Sequence, residues 1–149
     1  MNKPIISIAA LIPNCNNEVF LIQRKNPLGH LKWASPGGHL ECGETVTNAV
    51  FRECYEEVGI NVKKLSYLTY TDDFFTNDNY HYVTMWFLCT EYEGIPYLKE
   101  KREIILCDWF SYDKFRNISH NNLFLPFINL LNQGFFVDGF NFPKILNKE

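Results

Sequence analysis

The chain has 149 residues, 46% apolar and 21% charged, with a formal net charge of −3. That length suits one domain over residues 1–149, able to bury roughly two-thirds of its unfolded surface without a disulfide or metal staple. The acidic balance points away from a nucleic-acid polymer as partner, and no apolar run approaches the roughly 18 residues of a membrane span.

Lys3 precedes the apolar run Ile5 to Ile12. Turn residues Pro13-Asn14 and Asn16-Asn17 close that run, so it reads as a strand rather than a signal-peptide core. Ile5–Leu11 and Val19–Gln23 are expected to form a hairpin. Lys25 to Gly43 holds Pro27, Gly29, Pro36, Gly37, Gly38 and Gly43 and reads as a loop with a short strand near Lys32–Ala34. Thr45 to Val58 is the clearest helix. It lacks internal Gly and Pro, Thr45 can cap its start, and Gly59 stands where a C-terminal glycine belongs. Val62–Thr71 reads as a strand. Asp72-Asp73 and Thr76 to Asn79 then mark a loop around Phe74-Phe75. Tyr80–Thr90 is a long strand rich in aromatic and β-branched residues, broken by Glu93-Gly94-Ile95-Pro96. Cys107–Ser111 is a short strand, and Asn122–Asn132 an amphipathic helix with Leu123, Phe127, Leu130 and Leu131 on one side. Strands mixed with two helices indicate an α/β domain with a central mixed sheet. The five cysteines, Cys15, Cys42, Cys54, Cys89 and Cys107, are odd in number and form no CxxC pair. They read as free thiols of a reducing, cytoplasmic compartment, not as a zinc site.

The chemistry lies on the Thr45–Val58 helix. At about 100° per residue, Glu53, Glu56 and Glu57 occupy an arc of about 100°. Val46 and Val50 share that face, so the carboxylates lie where apolar groups are ordinarily buried. Like charges four apart destabilise a helix, and partial burial adds to the repulsion. A hard divalent cation removes the conflict, because magnesium prefers oxygen ligands and keeps room for substrate phosphates. On these three residues alone, a solvated acidic face explains the pattern equally well.

The flanking residues separate the two readings. From Gly38 the chain runs Gly, five residues, Glu44, seven residues, Arg52-Glu53, two residues, Glu56-Glu57, one residue, Gly59, Ile60. This resembles the box of the Nudix hydrolases, which act on a nucleoside diphosphate linked to another moiety. Seven fixed positions match, a coincidence on the order of one in a million by composition. Cys54 departs from the branched aliphatic residue more usual there. Leu28 to Glu41, Tyr80-His81-Tyr82-Val83-Thr84, Asp108-Trp109-Phe110 and the closing stretch Leu123 to Phe135 resemble the MutT-like nucleotide triphosphate diphosphatases.

The resemblance implies a Nudix-type α/β/α sandwich and a set of roles. Glu53, Glu56, Glu57 and the Gly38 carbonyl would bind Mg2+, with Mn2+ as a substitute, and one glutamate would assist as base. Arg52 would orient Glu53 by a bidentate contact, and Glu44 would hold Arg52 or add a metal contact. Glu100 and Glu103 are candidates for a further acid. Phe74, Phe75, Thr84 and Phe135 are candidate substrate contacts, with Tyr80, Trp109 and Phe136 as further aromatics able to stack on a base. The implied reaction takes a canonical or oxidised nucleoside triphosphate to monophosphate and pyrophosphate. A nucleotide sugar, a dinucleoside polyphosphate or a pterin triphosphate stand as other substrates, and a non-catalytic nucleotide-binding module as another class. The expected partner is a nucleotide, with no membrane and a possible homodimer.

Overall fold

A computed structural model describes residues 3–136, 139–142 and 146–148. The strands are β1 (Ile5–Leu11), β2 (Val19–Arg24), β3 (Trp33–Ala34), β4 (Gly37–His39), β5 (Asn61–Phe75), β6 (Tyr80–Glu93), β7 (Ile104–Phe110) and β8 (Leu146–Lys148). The helices are α1 (Val46–Val58), α2 (Tyr112–Arg116) and α3 (Leu125–Asn132), with one 3-10 turn at His120–Asn122. The larger sheet runs β4-β1-β6-β5. It is mixed, because β1 pairs parallel with β6 while β4 and β5 pair antiparallel with their neighbours. β8 adds to β6 at Glu91–Glu93, beyond the stretch that β1 pairs. The smaller sheet runs β3-β2-β7.

Alternation along the strands builds two cores. Ile8, Ala10, Phe87 and Cys89 face Ala49, Val50, Cys54 and Val58 of α1. Ala9, Leu11, Trp86 and Leu88 face the other way, into Phe115 of α2 and Phe127 and Leu130 of α3. Each strand residue thus serves one layer or the other by its parity, and the sheet is covered on both faces. This is the expected α/β architecture with a central mixed sheet. Among the described residues no helix is long and apolar enough to cross a membrane.

Several local expectations give way to tertiary pairing. β1 and β2 meet only at the turn, where Asn14 N–H donates to the Glu18 carbonyl at 3.0 Å and Phe20 N–H to the Ile12 carbonyl at 2.9 Å. They then enter different sheets, because both edges of each are taken: β1 by β4 and β6, β2 by β3 and β7. The expected hairpin is therefore a shared turn. Inside the expected Lys25–Gly43 loop, Gly37 to His39 form a strand because they pair with Ala9, Ile8 and Ser7. β5 runs on through Asp72-Asp73-Phe74-Phe75, so those residues are strand and not loop, held opposite Val83, Tyr82, His81 and Tyr80. The closing helix starts at Leu125, later than expected, because Leu123 bridges Trp33 and Phe124 N–H donates to the Trp33 carbonyl at 2.9 Å. The short α2 carries no periodic signal of its own.

α1 forms as its caps dictate. Thr45 is extended, and its hydroxyl accepts from Asn48 N–H at 3.1 Å. Gly59 ends the helix at φ 73°, and a Cβ there would collide with the Tyr97 ring, so glycine is required twice over. Thr45→Ala is expected to cost about 1 kcal/mol by urea unfolding, while Thr45→Ser keeps the capping hydroxyl and costs a few tenths of that at most. Equal stability of the alanine variant and native protein would show that the cap is idle.

Candidate active site

The three glutamates of α1 separate once the helix is docked. Glu57 is 5% exposed and points under β4, where its Oε1 accepts the Gly37 N–H at 3.1 Å. The Glu53 side chain is 13% exposed and the Glu56 side chain 56% exposed, so only Glu53 and Glu57 face inward. Their carboxyl groups are in hydrogen-bond contact with each other. Burial, above all, holds the Glu57 carboxyl well above its ordinary range, and the charge of Glu53 adds to the shift. Burial also raises Glu53, against the opposing pull of its Glu57 and Arg52 contacts. A Cβ at Gly38 would collide with the Glu53 carboxylate, so the glycine is what lets the helix carboxylates reach the β4 backbone. The Gly38 carbonyl accepts from Ser7 Oγ at 2.9 Å, which fixes its direction.

Arg52 ties the outer side together. Its Nη2 and Nε reach Glu44 Oε1 and Oε2 at 2.7 and 3.1 Å, so the bidentate fork expected on Glu53 falls on Glu44 and Glu53 receives a single bond. Nη1 reaches Glu53 at 2.8 Å and Glu56 at 3.4 Å, and Nη2 also donates to the His39 carbonyl at 3.1 Å. The hydrogen bond from Arg52 is the main cause holding Glu44 below its ordinary value, and the contact with Glu44 in turn raises Arg52.

A cleft of about 440 Å3 opens beside Glu53 and Glu57, a size that suits a small ligand. Arg24 lies in it, its guanidinium 4.0 Å over the Phe124 ring and its Nε donating to the Leu28 carbonyl at 3.0 Å. Burial lowers the basicity of Arg24, while Glu57, Tyr82 and Glu103 oppose that shift. Phe75, Tyr82, Trp86 and Phe127 supply apolar wall. Sheet register orders the floor: His39, Ser7 and Thr84 lie in one row across β4, β1 and β6, and Gly37, Ala9 and Trp86 in the next. The carboxylates sit at the β4 end and Thr84 two strands away, about 10 Å by the usual strand spacing.

The cleft gathers Gly38, Glu53, Glu57, Phe75 and Thr84 of the residues singled out from the sequence. Glu56 and Glu44 flank it through Arg52. Phe74 lies outside its lining, exposed and stacked on His81 at 4.4 Å between ring centroids. Phe135 also lies outside, against Phe136. Glu103 lines the cleft, whereas Glu100 accepts from Arg102 N–H at 2.9 Å and does not. Among the described residues no three Asp, Glu, His or Cys side chains gather as a ready metal group. Sequence reasoning missed Arg24, Tyr82, Phe124 and the buried Asp73. The one available signal was an arginine closing the apolar strand β2.

A family model described as NUDIX domain matches residues 3–129, and the chain belongs to that family. It is 39% identical over 103 residues to an 8-oxo-dGTP diphosphatase of Escherichia coli K12, covering 67% of this chain and 76% of the relative. It is 43% identical over 65 residues to an ADP-ribose pyrophosphatase of Methanocaldococcus jannaschii, covering 44% of this chain and 38% of the relative. A MutT NUDIX hydrolase from Burkholderia pseudomallei superposes with a TM-score of 0.74 at 27% identity, over 81% of this chain and 94% of that one. The protein is a Nudix hydrolase, MutT-like, acting on phosphoric anhydride bonds.

Proposed function

We propose that the chain hydrolyses a nucleoside triphosphate to the monophosphate and pyrophosphate. One observation carries this reading. A single cleft holds the acid pair Glu53–Glu57 at its β4 edge, Thr84 two strands away at about 10 Å, and between its walls Arg24 together with the aromatic side chains Phe75, Tyr82 and Phe124. The 8-oxo-dGTP relative supports a triphosphate substrate.

The acid pair suits a divalent cation. A buried and a partly buried carboxyl in contact repel once ionised, and Arg52 reaches Glu53 but makes no hydrogen bond to Glu57. Oxygen donors of this kind match magnesium, or manganese in its place. Glu53, Glu57 and the Gly38 carbonyl would hold the ion, joined by Glu56 if its outward side chain turns in. The ion would supply charge neutralisation for the phosphates and a more acidic bound water.

The chain's own groups do the rest. Arg24, within the field of Glu57 and seated on the Phe124 ring, binds phosphate oxygens with a guanidinium freed from bulk water. Arg52 and Glu44 fix the direction of Glu53. Water adds at one of the two phosphorus atoms flanking the α–β bridging oxygen, that P–O bond breaks, and the proton passes to a carboxylate oxygen of the acid set. Glu103, exposed on the cleft wall, is a second acceptor for that proton. Phe75, Tyr82 and Phe124 hold the base by stacking.

Product analysis on canonical and oxidised nucleoside triphosphates, with magnesium and with chelator, tests this. Magnesium-dependent pyrophosphate release is expected. The ADP-ribose relative favours a second reading, a nucleotide-sugar type of diphosphate. Cleavage of ADP-ribose with intact triphosphates would establish it in place of the first.

A further inference from the structure

Behind the base end of the cleft lies a polar network that no metal or phosphate chemistry uses. Asp73 is fully buried. Its Oδ1 accepts from Asn129 Nδ2 at 2.8 Å, and the same amide nitrogen donates to the Asp72 carbonyl at 3.2 Å. That second contact fixes which end of the Asn129 amide is the amino group, since a carbonyl can only accept. Oδ2 accepts from Thr84 Oγ1 at 2.5 Å and from Thr71 Oγ1 at 3.3 Å. Thr71 in turn accepts from the Trp86 indole N–H at 3.1 Å, so its own proton is free to point at Asp73. Three side-chain donors, Asn129, Thr84 and Thr71, converge on one carboxylate.

The consequence falls on Thr84, the one member besides Trp86 that lines the cleft. Its single hydroxyl proton is committed to Asp73, so only lone pairs remain to face a ligand. A second hydroxyl in the cleft wall, Ser35, is 8% exposed and its Oγ has no hydrogen-bond partner among the described residues. A buried hydroxyl of that kind calls for a partner from the ligand or from water.

We propose that Asp73 sets base specificity as a positioning residue, holding Thr84 as an obligate acceptor, so that the cleft selects a base whose atom facing Thr84 is an N–H or amino donor. This rests on the nucleotide reading above. At one atom each, the 4-position of the pyrimidines, the 6-position of adenine and hypoxanthine, and N7 of the guanines, cytosine, adenine and 8-oxoguanine offer a donor where uracil, hypoxanthine and guanine offer a bare oxygen or nitrogen and carry their own N–H donors elsewhere. Which of the three pairs shows the preference identifies the base edge that meets Thr84.

Asp73→Asn inverts the device without changing its size. The Asn129 amino group still faces the Oδ1 position, so the new side chain must place its carbonyl there and its own amino group against Thr84. Thr84 then accepts from residue 73 and turns its proton into the cleft. The experiment measures Kd by calorimetry for nucleoside monophosphates in the three pairs, cytosine against uracil, adenine against hypoxanthine, and 8-oxoguanine against guanine. It uses the full chain without metal, so that turnover plays no part. Native protein is expected to favour the donor member of at least one pair by about tenfold or more. Thr84→Ser keeps the preference, Thr84→Val removes it, and Asp73→Asn reverses it. If Asp73→Asn fails to fold, the Thr84→Val and Thr84→Ser variants decide the matter. No preference in native protein, binding of neither member, or a preference that survives Thr84→Val overturns the proposal. Triphosphate hydrolysis is read separately on the same bases. A preserved binding preference without hydrolysis would remove the proposed activity and leave the role of Asp73 standing.

Discussion

Glu57→Gln is expected to abolish most turnover, by at least on the order of a hundredfold, while leaving the fold intact. The substitution keeps the volume, and the amide oxygen still accepts the Gly37 N–H seen at 3.1 Å. What disappears is the negative charge that would hold a cation. Single-turnover rates at saturating magnesium, beside thermal melts, test both halves. A rate within a few-fold of native protein would remove Glu57 from the metal set. A collapse in melting temperature would give it a structural role instead.

The same buried pair sets a pH dependence with a definite sign. Glu57 and Glu53 titrate above the ordinary glutamate value of 4.5 in the metal-free fold, chiefly because burial penalises their charged forms. A carboxyl raised in the native state binds more protons there than in the unfolded chain, so its contribution is present at low pH and lost as pH rises through the shifted value. Metal-free native protein is therefore expected to lose melting temperature relative to Glu57→Gln as pH rises above the ordinary glutamate range. Magnesium should close that gap and release protons into a weak buffer, because only ionised carboxylates bind it.

The helix that carries these residues was legible because its signals are local. Thr45, Gly59 and the placement of Glu53, Glu56 and Glu57 lie within one stretch, and caps and periodicity act over a few residues. The wheel also placed the carboxylates on the face of Val46 and Val50, where Glu57 is indeed buried. It did not show that Glu56 turns out to Arg52, because docking against β4 decides which side of the arc faces inward.

Where partners come from afar, local reading failed. Asp72-Asp73 carries turn chemistry, yet Asp73 is a buried strand residue, because Thr84 and Asn129 satisfy it from 11 and 56 residues away. Gly37 and Gly38 suggest a loop, yet they pair with β1 so that two helix carboxylates can approach the backbone. Phe74 and Phe75 are adjacent in sequence and alternate in the strand, so one lines the cleft while the other stacks outside on His81. In each case the composition of the segment was that of a loop, and cross-strand pairing imposed the opposite.

Arg52→Lys should lower kcat by about 10- to 100-fold, although the charge is kept. The guanidinium makes five contacts to four partners: the fork on Glu44, one bond each to Glu53 and Glu56, and one to the His39 carbonyl. A lysine ammonium is a point donor on a flexible stem and cannot hold Glu44 and Glu53 apart at once. Glu53 would then rotate within its contact to Glu57, and the acid set would lose its fixed geometry. Because Arg52 stands outside the cleft lining, KM for the nucleotide should move little while apparent magnesium affinity weakens. A variant with native kcat would reduce the Arg52 cluster to a surface ion-pair network, of the kind that contributes little to stability or rate. A raised KM with unchanged kcat would instead place Arg52 against the substrate itself.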